Sequence, residues 1–148
     1  MFFSEVIGQE TIKRSLIKSV KNNRVSHAQL FVGAEGSGSL AMAIAFAQYI
    51  SCEDKLEGDS CGKCPSCVKY MALAHPDLHF IFPVATNKEV PKNPRSDLFM
   101  KQWRTAVKDN PYMSLGQWHR YLGIENKQAI INVEDCNEII KKLSLKTF

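Results

Sequence analysis

The chain has no run of about 18 or more apolar residues, which excludes a membrane-spanning helix. Its opening, MFFSEVIGQE, has neither the basic leader nor the apolar stretch of a secretory signal, so a cytoplasmic protein is expected. Chemistry-bearing motifs are scarce as well. There is no H-E-x-x-H and no G-x-S-x-G, and His27, His75, His79 and His119 have no catalytic partner at useful spacing. Nothing in the sequence names a nucleophile or a general base. Internal repeats and low-complexity tracts are absent too, and no lysine lies between Lys21 and Lys55.

What is present suits one soluble globular domain: 148 residues, 45% of them apolar. The net charge of +4 is unevenly placed. Residues 84–128 hold eight Lys/Arg (88, 92, 95, 101, 104, 108, 120 and 127) against Glu89, Asp97, Asp109 and Glu125. That segment alone carries the excess, either as a solvated surface or as a phosphate-contacting patch.

Apolar spacing sketches the elements. Ile12, Leu16 and Val20 recur every four residues, a helical stripe. HAQLFVG (27–33) predicts a short buried strand, and LAMAIAFAQYIS a helix buried on nearly every side. Strand, glycine loop and helix make half of a β-α-β unit. A second buried strand is expected over 78–82, after a His-Pro-Asp turn in which the His75 ring can cap a backbone group. Two helices should follow a proline-bearing loop. One has Phe99, Trp103 and Val107 on a face; the other starts at Ser114, with Gln117 completing a capping box, and carries Trp118 and Leu122. QAIINV predicts a third strand or extended segment. Asn132 then caps a helix whose face holds Val133, Cys136, Ile140 and Leu143, with Cys136 as a core residue.

GAEGSGSL (33–40) sits where a phosphate-binding loop would, between strand and helix. Gly33 and Gly38 match the two glycines of G-x-x-x-x-G-K-[ST], with Gly36 between them. Such glycines let backbone N–H groups cradle phosphate oxygens. The lysine that neutralises the β and γ phosphates is replaced by Ser39, and the hydroxyl that holds magnesium by Leu40. Glu35 adds a carboxylate to the loop. Tight ATP binding is therefore not expected, and hydrolysis still less. The loop alone is equally readable as a tight turn that needs small residues.

Cys52, Cys61, Cys64 and Cys67 stand at C-x8-C-x2-C-x2-C. Two-residue gaps let thiolates converge, and four thiolates suit a closed, structural tetrahedral zinc site. Lys55, Lys63 and Lys69 would offset part of its double negative charge. An iron–sulfur cluster, a disulfide pair and unligated core cysteines are the competing readings, the disulfide disfavoured by compartment.

Together these pieces resemble the N-terminal domain of bacterial clamp-loader subunits, the gamma/tau and delta-prime AAA+ proteins of DNA polymerase III. The resemblance runs through VIGQETIKRSLIKSV, HAQLFVGAEGSGS, the cysteine cluster and AHPDLHFI, in that order over residues 3–83, and resumes in INVEDCNEIIKKLSL. It implies an α/β fold, the P-loop NTPase (AAA+) type three-layer αβα domain. That domain would be incomplete at its C-terminus, over residues 1–148, with an inserted zinc module at 52–70 and a largely helical insertion at 84–128. It implies Gly33, Gly36, Gly38 and Ser39 as a degenerate phosphate loop, weak or empty, and Cys52, Cys61, Cys64 and Cys67 as zinc ligands. Gamma/tau subunits hydrolyse ATP and keep the Lys-Thr pair, so Ser39 and Leu40 favour the non-hydrolysing delta-prime type. The implied partners are other clamp-loader subunits and, through the complex, the sliding clamp and primed DNA. The chain would not be an enzyme by itself. A working gamma/tau-type ATPase and a zinc-dependent nucleic-acid-binding module are the rivals. With the sheet lacking its middle strands, exposed apolar edges and self-association are expected.

Overall fold

The computed structural model describes residues 1–144 and divides the chain into two compact units, Met1–Leu78 and His79–Phe148. The end of the 131–145 stretch, Leu145, lies outside the described residues.

The first unit is built on helices. A 3-10 turn, Phe3–Glu5, precedes α1 (Glu10–Lys21), and α2 (Ser39–Ser51) forms the centre of the unit. Because α2 is apolar on most sides, Ala41, Met42, Ile44, Ala45, Phe46 and Tyr49 are all buried. Phe3 packs against Tyr49 with ring centroids 5.6 Å apart. The short α3 (Pro65–Met71) starts on a proline, whose missing N–H costs nothing at a first-turn position. His75 stacks on Tyr70 at 4.5 Å, and its Nδ1 accepts from the Asp77 N–H at 3.1 Å. This is the backbone cap expected of that turn.

The second unit gathers an aromatic core. A 3-10 turn (Ser96–Phe99) leads into α4 (Met100–Asp109), followed by α5 (Leu115–Leu122) and α6 (Val133–Leu143). Trp103 stacks on Phe82 at 4.1 Å and meets Trp118 edge-on at 5.0 Å, so both tryptophans are internal packing. The Trp118 indole N–H donates to the Pro83 carbonyl at 3.1 Å. The capping box forms as expected. Gln117 N–H donates to Ser114 Oγ at 3.0 Å, and Ser114 N–H to Gln117 Oε1 at 2.8 Å. Asn132 caps α6 by accepting from the Asp135 N–H at 2.9 Å.

Three expectations are corrected. No strand forms among the described residues, at 27–33, at 78–82 or in QAIINV; the one pairing is an isolated antiparallel bridge between Val84 and Ile130. A buried strand needs hydrogen-bonding neighbours. At Phe82 the Ser96 hydroxyl takes that place: it accepts from the Phe82 N–H at 3.2 Å and donates to the Phe82 carbonyl at 3.0 Å. The expected burial at 27–33 fails as well, with Leu30 88% and Val32 82% exposed. Lastly, Cys136 is exposed, not core, because α6 turns its apolar face outward: Val133, Ile140 and Leu143 are exposed with it.

Candidate metal centre and glycine loop

The four cysteines converge. Their Sγ atoms all lie within 4.8 Å of one another, and Cys61 and Cys67 stand 3.9 Å apart, too far for a disulfide. Four sulfurs about 2.3 Å from one tetrahedral zinc would be about 3.8 Å apart, so the donor set fits such an ion with little movement. Cys52 arrives from the end of α2, where it is the C-terminal capping residue. Cys64 is the N-cap of α3, and Cys67 lies in that helix's first turn.

Backbone donors surround the sulfurs. Cys61 Sγ accepts from the N–H groups of Cys64 (3.3 Å) and Lys63 (3.4 Å). Cys52 Sγ accepts from Cys61 N–H at 3.3 Å, and Cys64 Sγ from Cys67 N–H at 3.4 Å. Such bonds favour thiolate, the form that binds metal. The Cys64 and Lys63 donors lower the Cys61 thiol from 9.0 to about 6. Burial acts in the opposite direction on Cys67, pushed up to about 12, and raises Cys52. Of the three lysines expected to offset charge, Lys55 donates to the Cys52 carbonyl at 2.6 Å, while Lys63 and Lys69 are exposed.

Sequence reasoning missed the residues that hold this cluster in place. Asp59 Oδ1 accepts from Phe3 N–H (3.1 Å) and Ser60 N–H (2.8 Å), and Oδ2 from Ser4 N–H (2.9 Å). Gln48 is fully buried in α2 and donates to Ser60 Oγ at 2.8 Å. The available signals were the Asp-Ser pair just before Cys61, a turn-forming combination, and a lone glutamine in an otherwise apolar helix.

The glycine loop sits at the start of α2. Gly36 (φ +76°) and Gly38 (φ +82°) take left-handed conformations, and Ser37 N–H closes a turn on the Ala34 carbonyl at 3.0 Å. Gly33 is also required, since a Cβ there would collide with the Ser37 hydroxyl. Gly38 is the N-cap and offers no side chain, so no side chain satisfies the first amides of α2. Ser39 is the first helical residue. Beside the loop lies a cavity of about 390 Å³, walled by Gln9, Ile12 and Leu16 of the α1 region, by residues 29–34, and by Ser37, Gly38, Ser39 and Met42. Its lining contains no lysine or arginine. Glu35 is exposed and is not part of that lining.

Residues 8–148 match the family described as DNA polymerase III, delta subunit. The chain is 38% identical over 65 residues to DNA polymerase III subunit tau/gamma of Haemophilus influenzae, a match covering 44% of this chain and 9% of that protein. It is 36% identical over 77 residues to DNA polymerase III subunit delta' of Bacillus subtilis, covering 51% and 22%. It is also 38% identical over 79 residues to Protein STICHEL-like 1 of Arabidopsis thaliana, covering 53% and 7%. The matched region is thus less than a quarter of the length of each of these relatives. No solved structure matches. No helix among the described residues is long and apolar enough to cross a membrane.

Proposed function

We propose, for a chain that belongs to the DNA polymerase III delta-subunit family, the role of a non-hydrolysing clamp-loader subunit of the delta-prime type. One observation carries the choice within the family: Ser39 and Leu40 open α2 where an ATPase needs lysine and a magnesium-binding hydroxyl. The cavity beside them supplies no cation in compensation. A serine hydroxyl can donate one hydrogen bond to a phosphate but brings no charge, so the loop keeps the shape of a phosphate site without its chemistry. Tau/gamma and delta' relatives match at 38% and 36% identity, and identity therefore does not discriminate.

In this reading the subunit acts through contacts with other clamp-loader subunits. It helps place the sliding clamp on primed DNA within the complex and is not a catalyst by itself. Residues 1–148 would belong to an AAA+ three-layer αβα domain, with a module at 52–70 and an insertion at 84–128. Titration of the full-length protein with ATP is the test. No magnesium-dependent binding in the micromolar range is expected, and finding it would shift the assignment to the gamma/tau type.

The module's metal is zinc in this reading, held by Cys52, Cys61, Cys64 and Cys67. With four protein ligands no position is open, so the ion would stabilise the fold and not activate water. Metal analysis should return about one zinc per chain. Values well below that would remove zinc from the reading and leave the nucleotide argument intact.

A further inference from the structure

We propose that residues 2–9 form a strap that ties the four-cysteine module to the wall of the glycine-loop cavity, with Asp59 as its buckle. At the module end, the Asp59 carboxylate holds the backbone N–H groups of Phe3 and Ser4, one on each oxygen. Asp59 is two residues from Cys61, and Oδ1 also takes the Ser60 N–H. One side chain therefore fixes the strap and the approach to a cysteine of the cluster. The Phe2 ring lies over Gly62, between Cys61 and Cys64, so close that a Cβ on Gly62 would stand 2.8 Å from its Cζ. Phe3 is buried against Tyr49, whose hydroxyl reaches the Leu56 carbonyl of the module at 3.5 Å.

From there the connection to α1 is short. The Phe3–Glu5 turn is followed by buried Val6, then by Gly8 and Gln9, both left-handed at φ +65° and +61°. Gln9 is the N-cap of α1, and its carbonyl accepts the Lys13 N–H at 3.0 Å. Gln9 and Ile12 both wall the cavity. Four residues separate Ser4, held by Asp59, from Gln9, and Gln9 itself holds a left-handed conformation that is strained for a residue with a Cβ. Little slack is left to absorb a change at the module. Opening the cysteine cluster therefore loosens the start of α1, and loss of the buckle loosens the cluster.

The zinc side of this coupling rests on the metal reading above, and the experiment separates the two. Amide hydrogen exchange is followed in the full-length protein and in its Asp59→Ala and Asp59→Asn variants, each with and without a strong chelator. In Asp59→Ala, exchange at residues 3–4 and at the first hydrogen-bonded amides of α1, 13–16, should rise about tenfold, with the α2 core at 44–46 unchanged. Asp59→Asn retains one acceptor and should fall between. In the unsubstituted protein, chelation should produce the same pattern. If 13–16 keep their protection in Asp59→Ala while 3–4 lose it, the strap does not couple the module to α1 and the proposal fails. A protein without metal but with this Asp59 pattern would sink the zinc reading and keep the strap.

Discussion

Gly62 answers two demands that can be separated by mutation. Its backbone is left-handed at φ +72°, where a Cβ is strained by about 1 kcal/mol, and the Phe2 ring occupies the space a Cβ would need. The ring is the mobile end of a side chain and can give way. Gly62→Ala should therefore cost about 1–2 kcal/mol of thermal stability. In a Phe2→Ala background the same substitution should cost only the backbone part, which a double-mutant cycle on melting temperature reads directly. The thiols make a second prediction. At neutral pH, before metal binds, Cys61 is largely thiolate while Cys52 and Cys67 hold their protons, since burial raises both. Zinc must displace at least those two protons, so affinity should weaken at least about a hundredfold per pH unit as pH falls from 8 to 6. Below about 6, Cys61 also protonates and the fall steepens. Chelator competition across that range gives the slope, and a pH-independent affinity would contradict four-thiolate ligation. The convergence of the four cysteines was legible because short gaps keep their thiols close together. Asp59 was not, because an acid in a turn looks the same whether it faces water or buckles a distant segment.

Helices were the elements the sequence announced, and local rules explain why. α5 is specified by its own residues: the Ser114–Gln117 box supplies both reciprocal bonds at its start, and Trp118 and Leu122 bury one face. Ser114→Ala should lower the stability of the second unit by about 1 kcal/mol, while Ser114→Asp should keep most of it. Both tryptophans lie in that unit, so fluorescence-detected urea unfolding can read the difference. Strands carry no such internal specification. LFV at 30–32 and the 78–82 run have the composition of buried strands, but pairing is decided by what lies alongside, which periodicity cannot reveal. At Phe82 the partner proved to be the hydroxyl of Ser96, which opens a 3-10 turn. α6 shows the same limit in helical form. Its cap and its stripe were both readable from Asn132 onward, yet the stripe points outward, because the pattern says which residues share a face and not what covers it.

At the scale of the whole chain, each unit has its own organising centre. In Met1–Leu78 this is α2 with the cysteine module, and in His79–Phe148 the Phe82–Trp103–Trp118 cluster. What the chain leaves uncovered is as specific as what it buries. Leu30 and Val32 stand almost fully exposed in a segment without regular structure, and α6 presents Val133, Ile140 and Leu143. Exposed apolar side chains, on an irregular segment or along a helix face, are adhesive toward another chain. The 148-residue chain should therefore self-associate reversibly, its weight-average mass in sedimentation rising with concentration above the 16.7 kDa of one chain. Leu30→Glu with Val32→Lys places opposite charges on that segment without touching the buried part of α2 or the cysteines. If pairing runs through that segment, this variant should stay monomeric while its zinc content and tryptophan emission match the parent. Association that survives in it, but is lost when Ile140 and Leu143 are replaced by Glu and Lys, would move the adhesive surface to α6. A parent chain that remains monomeric at high concentration would overturn the argument from exposed apolar surface altogether.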